Sequence, residues 1–115
     1  MRELRTPSGK PFRYRRCAEG EIIVYPSDEN GIHQDSEAIV ITPYTSEFIS
    51  NAIRGEARIL MGASRDNPPA SSLGRRLRDI HQSPQQLSYL VAVLESEGFC
   101  TLERDGRAFV VVRRR

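Results

Sequence analysis

The sequence predicts an α+β protein, with a small antiparallel β element at the N-terminus followed by a helical segment that ends in a β-hairpin. Three observations carry this expectation. Residues 11–43 hold compact runs of β-branched residues separated by turn residues. Residues 71–97 carry apolar residues at helical spacing in two stretches, each preceded by serine. Residues 99–113 are two strand-like runs around Asp105-Gly106.

Residues 1–10 are polar, basic and punctuated by Pro and Gly, and read as a flexible arm. Residues 11–43 read as the β element. Pro11 to Cys17 alternates Phe12 and Tyr14 with arginines, which suits a strand with one apolar face. Ala18-Glu19-Gly20 is a turn, and Glu21 to Tyr25 contains the run Ile22-Ile23-Val24. Pro26 to Ser36 is a polar loop, and Glu37 to Thr42 a further buried strand closed by Pro43.

Residues 44–115 form the second part. Thr45 or Ser46 can cap a helix, with Glu47 in its first turn and Phe48, Ile49, Ala52 and Ile53 on one face. Beyond Gly55 the pattern through Ala57, Ile59 and Leu60 fits either more helix or a short strand. Gly62 to Ala70, with Asn67-Pro68-Pro69, is a loop. Ser71 or Ser72 caps the next helix, where Leu73, Leu77 and Ile80 form a stripe. His81-Gln82 is a turn. Ser83 is then an N-cap, with Pro84 at the first helical position and Gln86 at the third, the pattern of a capping box. Leu87, Leu90, Val91 and Leu94 follow at helical spacing, and Gly98 stops the helix.

The 115 residues suit one compact domain, and 38% apolar content supports a core. The net charge of +2 is unevenly spread. Residues 1–20 carry six basic against two acidic residues, residues 21–60 two against seven, and residues 61–115 nine against six. Basic ends around an acidic middle point to a nucleic-acid face. Sixteen of the seventeen basic residues are Arg, which binds phosphate and guanine bidentately; codon usage in a GC-rich genome is the simpler source of that bias. Cys17 and Cys100 are far apart and form no Cys-x-x-Cys pair, so reduced thiols are expected. No apolar run is long enough to span a membrane, and none follows the basic N-terminus. The expectation is a soluble cytoplasmic protein.

From Ser71 to Arg113 the chain resembles the winged helix-turn-helix DNA-binding superfamily. The resemblance rests on the Ser83-Pro84 start, the apolar spacing of Leu87, Leu90, Val91 and Leu94, the segment Glu95-Ser96-Glu97-Gly98, the strand start Phe99-Cys100 and the basic hairpin Arg104 to Arg107. It implies a C-terminal winged helix-turn-helix domain over residues 44–115. It also implies a small prokaryotic or mobile-element transcriptional regulator that binds double-stranded DNA. Gln85, Gln86, Ser88 and Tyr89 would then lie at the exposed start of the recognition helix, within reach of bases or phosphates. Arg104 and Arg107 on the wing would reach phosphate or a minor groove, and Arg75, Arg76 and Arg78 would anchor to phosphate. Palindromic half-sites would require a homodimer, for which the N-terminal strands offer contact.

Each of these residues also has a plainer reading. Gln86 serves the cap, Tyr89 can pack on the protein, and Glu103 and Asp105 partly cancel the charge of Arg104 and Arg107. Arg2, Arg5, Lys10, Arg13, Arg15 and Arg16, interleaved with Phe12 and Tyr14, resemble a nucleic-acid arm or strand platform; the aromatics are better read as core and the arginines as an electrostatic surface. The recognition segment carries no Lys or Arg, Val93 falls beside its solvent face, and Ala92 is small and neutral. That favours the alternative function, a protein–protein interaction module without DNA binding. His33 and His81 are isolated, no metal or cofactor motif is present, and neither cysteine has a base beside it, so no enzyme activity is expected.

Overall fold

The alternation of Phe12 and Tyr14 with arginines becomes strand β2 (Pro11–Arg16) in a computed structural model of the chain, which describes residues 2–27, 38–63 and 67–114. Phe12 and Tyr14 point into the core, and Arg13 and Arg15 point out. Preceding it is a strand from the segment read as an arm, β1 (Arg2–Arg5), paired antiparallel from Arg2↔Tyr14 to Arg5↔Pro11. The connecting turn closes through the Thr6 N–H on the Lys10 carbonyl at 2.9 Å and the Gly9 N–H on the Thr6 carbonyl at 2.8 Å. Strands β3 (Ile22–Pro26) and β4 (Ile39–Ile41) complete a four-stranded sheet in chain order.

Helix α1 (Pro43–Gly55) begins earlier than expected. Thr42 is its N-cap, its hydroxyl accepting from the Thr45 N–H at 3.2 Å, and Thr45 is buried instead of capping. Pro43 explains the shift, because its fixed φ is pre-set for the first helical position. The ambiguous Ile59 segment is a strand, β5 (Arg58–Leu60). It pairs with β7 (Ala108–Arg113), which also pairs with β6 (Cys100–Asp105), giving a second antiparallel sheet of order β5-β7-β6. The hairpin loop is Gly106-Arg107, one position later than the expected Asp105-Gly106 because Asp105 still pairs with Ala108, and Gly106, at φ +64°, takes the first loop position.

Between β5 and β6 lie α2 (Leu73–Asp79) and α3 (Leu87–Ser96), the latter entered through a 3-10 turn, Pro84–Gln86. Ser72 caps α2, its buried hydroxyl accepting from the Arg75 N–H at 3.1 Å and donating to the Pro69 carbonyl at 2.7 Å. The capping box at Ser83 does not form as expected. The Ser83 hydroxyl accepts from the Gln85 N–H, and the Gln86 amide donates to the Ser83 carbonyl at 3.0 Å. The tighter 3-10 geometry moves the hydroxyl's partner from Gln86 to Gln85, and the Gln86 side chain meets the Ser83 carbonyl instead of its N–H. The turn between the helices uses His81 at φ +63°, so histidine stands where a glycine is common.

The expected architecture, a small N-terminal β element followed by a C-terminal winged helix-turn-helix, is corrected by this arrangement. Among the described residues the chain is an α+β domain of seven strands in two antiparallel sheets with three α-helices. The N-terminal strands are the larger sheet, and one core cluster joins that sheet, all three helices and the second sheet. Helix α3 lies within the core. Leu87, Leu90, Val91 and Val93 are fully buried, and Ala92 and Leu94 nearly so. Val93, expected beside solvent, is therefore a core residue. The first sheet reaches α3 through Phe12, whose ring meets Tyr89 edge-on at 5.1 Å, and through Arg16, whose guanidinium donates twice to Glu97 at 2.7 Å. A helical wheel drawn from residues 84–97 alone cannot include a sheet supplied by residues 2–41. Among the described residues, no helix is long and apolar enough to cross a membrane.

Candidate nucleic-acid interface

The start of α3 and the β6–β7 loop approach one another across a shallow groove. One cleft of about 290 Å³ takes Gln85 from the 3-10 turn and Ser88 and Tyr89 from α3, with Thr6, Ser8 and Lys10 from the β1–β2 turn. An adjoining cleft of about 290 Å³ shares Ser8, Ala63 and Ser88 and ends on Arg107, Ala108 and Phe109. Lys10 thus lines the first cleft and Arg107 the second, with the hydroxyls of Ser8 and Ser88 common to both.

The β1–β2 turn is the part that the sequence reading missed. Its signal is Pro7-Ser8-Gly9, a turn composition just before the alternating segment Pro11 to Arg16. Ser8 of that turn lines both clefts together with Ser88 of α3. Tyr89 is half-buried against Phe12, and burial raises its hydroxyl pKa.

The remaining expected contacts divide into two groups. Arg104 and Arg107 are exposed, Arg104 with its guanidinium 5.1 Å from the Phe109 ring centre. The acids beside them are engaged elsewhere: Arg58 on β5 lies 2.9 Å from Glu103 and 4.0 Å from Asp105. Their charge is therefore met on the far strand, and less of it offsets the loop arginines. Arg75 and Arg76 are different. Arg75 donates twice to the Pro68 carbonyl, at 3.1 and 3.3 Å, and so fastens the loop before α2. Arg76 is ion-paired with Glu56. Arg78 is exposed at the end of α2, and Gln86 is turned back to Ser83.

A cleft of about 600 Å³ lies between α1 and the end of α3, and its two cations are engaged, Arg16 by Glu97 and Arg54 by Asn51 and the Phe99 ring. Among the described residues no three His, Cys, Asp or Glu side chains converge as metal ligands. His33 and its acidic neighbours lie outside the described residues. Cys100 is fully buried, and burial, with Glu95 nearby, pushes its thiol up to about 11. The thiol is therefore protonated at neutral pH and a poor nucleophile. A maleimide at pH 7 is expected to modify the half-exposed Cys17 and to reach Cys100 only after denaturation; mass spectrometry showing two adducts on the native protein would contradict this burial.

Comparison with protein-family models, with curated protein sequences and with solved structures returns no match for this chain.

Proposed function

We propose that the chain binds double-stranded DNA, as a small transcriptional regulator, through the groove between the β1–β2 turn, the start of α3 and the β6–β7 loop. The observation that carries this reading is the placement of Gln85, Ser88, Tyr89 and Arg107 along one groove with Lys10. Arg107 and Arg104 supply phosphate attraction, which dominates affinity and weakens with salt. Gln85, which is exposed, and Ser88, which is half-buried, supply hydrogen bonds. Because α3 carries no Lys or Arg and lies largely in the core, backbone contact outweighs base reading in this proposal.

The protein-interaction alternative loses the residues that favoured it, since Val93 is fully buried and Ala92 is nearly so. The test is titration of labelled duplex DNA at two salt concentrations. Affinity is expected to fall steeply with salt. Replacing Arg104 and Arg107 with Ala should weaken binding and lower the salt slope by about 1 for each phosphate no longer neutralised. Absence of binding at low salt, or an unaltered slope in the double variant, would overturn the reading.

A further inference from the structure

The four-stranded sheet has a second face, and its composition is unusual for one turned to water. A one-sided antiparallel sheet ordinarily alternates apolar-in with polar-out. Here the register aligns Arg13 with Tyr25 across β2 and β3, and Arg15 with Ile23 and then Val40 across β2, β3 and β4. All five alternate with the core residues Phe12, Tyr14, Ile22, Val24 and Ile41, so they share the outer face. Val40 is 50% exposed, and Arg13 and Arg15 are exposed. Arg5 on β1 joins them, and Glu3, 3.6 Å from Arg13, is the acid among them. Among the described residues of the four strands, this face thus carries three arginines against one glutamate around a single aromatic ring.

The ring is held in place. Directly opposed cross-strand residues lie within side-chain contact, which puts Arg13 on one flank of Tyr25. The Arg15 guanidinium lies beside the Tyr25 hydroxyl, whose influence raises the arginine's pKa.

We propose that this outer face is a second binding site, a platform for single-stranded nucleic acid, on which a base stacks on Tyr25 while Arg5, Arg13 and Arg15 hold the flanking phosphates. A single strand fits this chemistry better than a duplex. Duplex bases are read by an element entering a groove, whereas a flat sheet can only offer a ring to bases already unstacked. It also fits better than a protein, because the apolar area is confined to Ile23, Tyr25 and Val40 while the guanidinium groups outnumber the carboxylate. The site is separate from the groove at α3 and does not depend on the duplex reading.

The test is fluorescence anisotropy of a labelled oligothymidylate, with a labelled duplex measured in parallel. The wild type should bind the oligothymidylate in a salt-dependent manner. Tyr25→Ala should weaken that binding roughly ten-fold or more, and Tyr25→Phe should stay within about two-fold, since stacking needs the ring and not the hydroxyl. Should Tyr25→Ala fail to fold, Arg13→Gln with Arg15→Gln must lower the affinity and the salt slope instead. Replacing Arg104 and Arg107 with Ala should leave single-strand binding unchanged. No oligothymidylate binding at low salt, full affinity in the folded Tyr25→Ala variant, or loss in the Arg104 and Arg107 variant would each overturn the platform. Duplex binding without oligothymidylate binding removes this proposal alone, and the converse result removes the duplex reading alone.

Discussion

Gly74→Ala is expected to lower stability by about 3 kcal/mol or more, against the usual direction of glycine replacement in a helix. Within a helix the exchange ordinarily gains up to about 1 kcal/mol, because alanine loses less backbone entropy on folding. At position 74 that gain is overruled by contact with backbone. A methyl carbon there would stand 1.7 Å from the Gly62 carbonyl oxygen, against a normal contact of about 3.5 Å. The obstacle is main chain and cannot rotate away. It is also anchored, since the Gly74 N–H donates to the Met61 carbonyl at 2.9 Å. Backing α2 off by the required distance would break that buried hydrogen bond and loosen Leu73 and Leu77, both fully buried. Gly62 faces the same constraint from the other side, with a methyl position 2.3 Å from the Ser72 hydroxyl and φ at +63°. Urea denaturation followed by circular dichroism measures the loss. A Gly74→Ala protein with the wild-type midpoint would show that α2 does not rest on residues 61–62.

Phe12→Ala should cost about 3–5 kcal/mol, the range for emptying a buried aromatic site. Phe12 is fully buried and is the point where the first sheet grips α3, its ring 5.1 Å from Tyr89 and 6.5 Å from Tyr14. A typical domain is stable by only about 5–15 kcal/mol, so the variant lies close to unfolding at room temperature. The shape of the transition is informative as well. Because one core cluster spans both sheets, unfolding should remain a single transition at a lower midpoint. Two resolved transitions would mean that residues 2–41 fold as a unit of their own.

Local signals in the chain translated well into local structure. Ser72 with Leu73 and Leu77 specified α2, and Gly106 between alternating runs specified the β6–β7 hairpin, because caps and tight turns depend on residues within a few positions. Strand β1 escaped notice because Arg2-Glu3-Leu4-Arg5 holds one apolar residue, and its stability comes from pairing with β2. The burial of Val93 was hidden for the same reason, since the wheel of α3 does not include the neighbours that enclose it. At the groove, Gln85, Ser88, Tyr89 and Arg107 could be named from sequence but not brought together. Arg76 looked like a free cation because its partner, Glu56, lies 20 positions away with no helical or strand spacing to connect them.

The two hydrogen bonds between Arg16 and Glu97 join residues 81 positions apart. On the ribosome this separation becomes a waiting time. At 5–20 residues per second, α3 leaves the exit tunnel roughly 4 to 16 seconds after the second strand does. Throughout that interval Phe12 lacks the Tyr89 ring and Arg16 lacks the Glu97 carboxylate. The nascent chain therefore holds its first sheet without α3 for most of its synthesis, and the late-emerging helix completes the core.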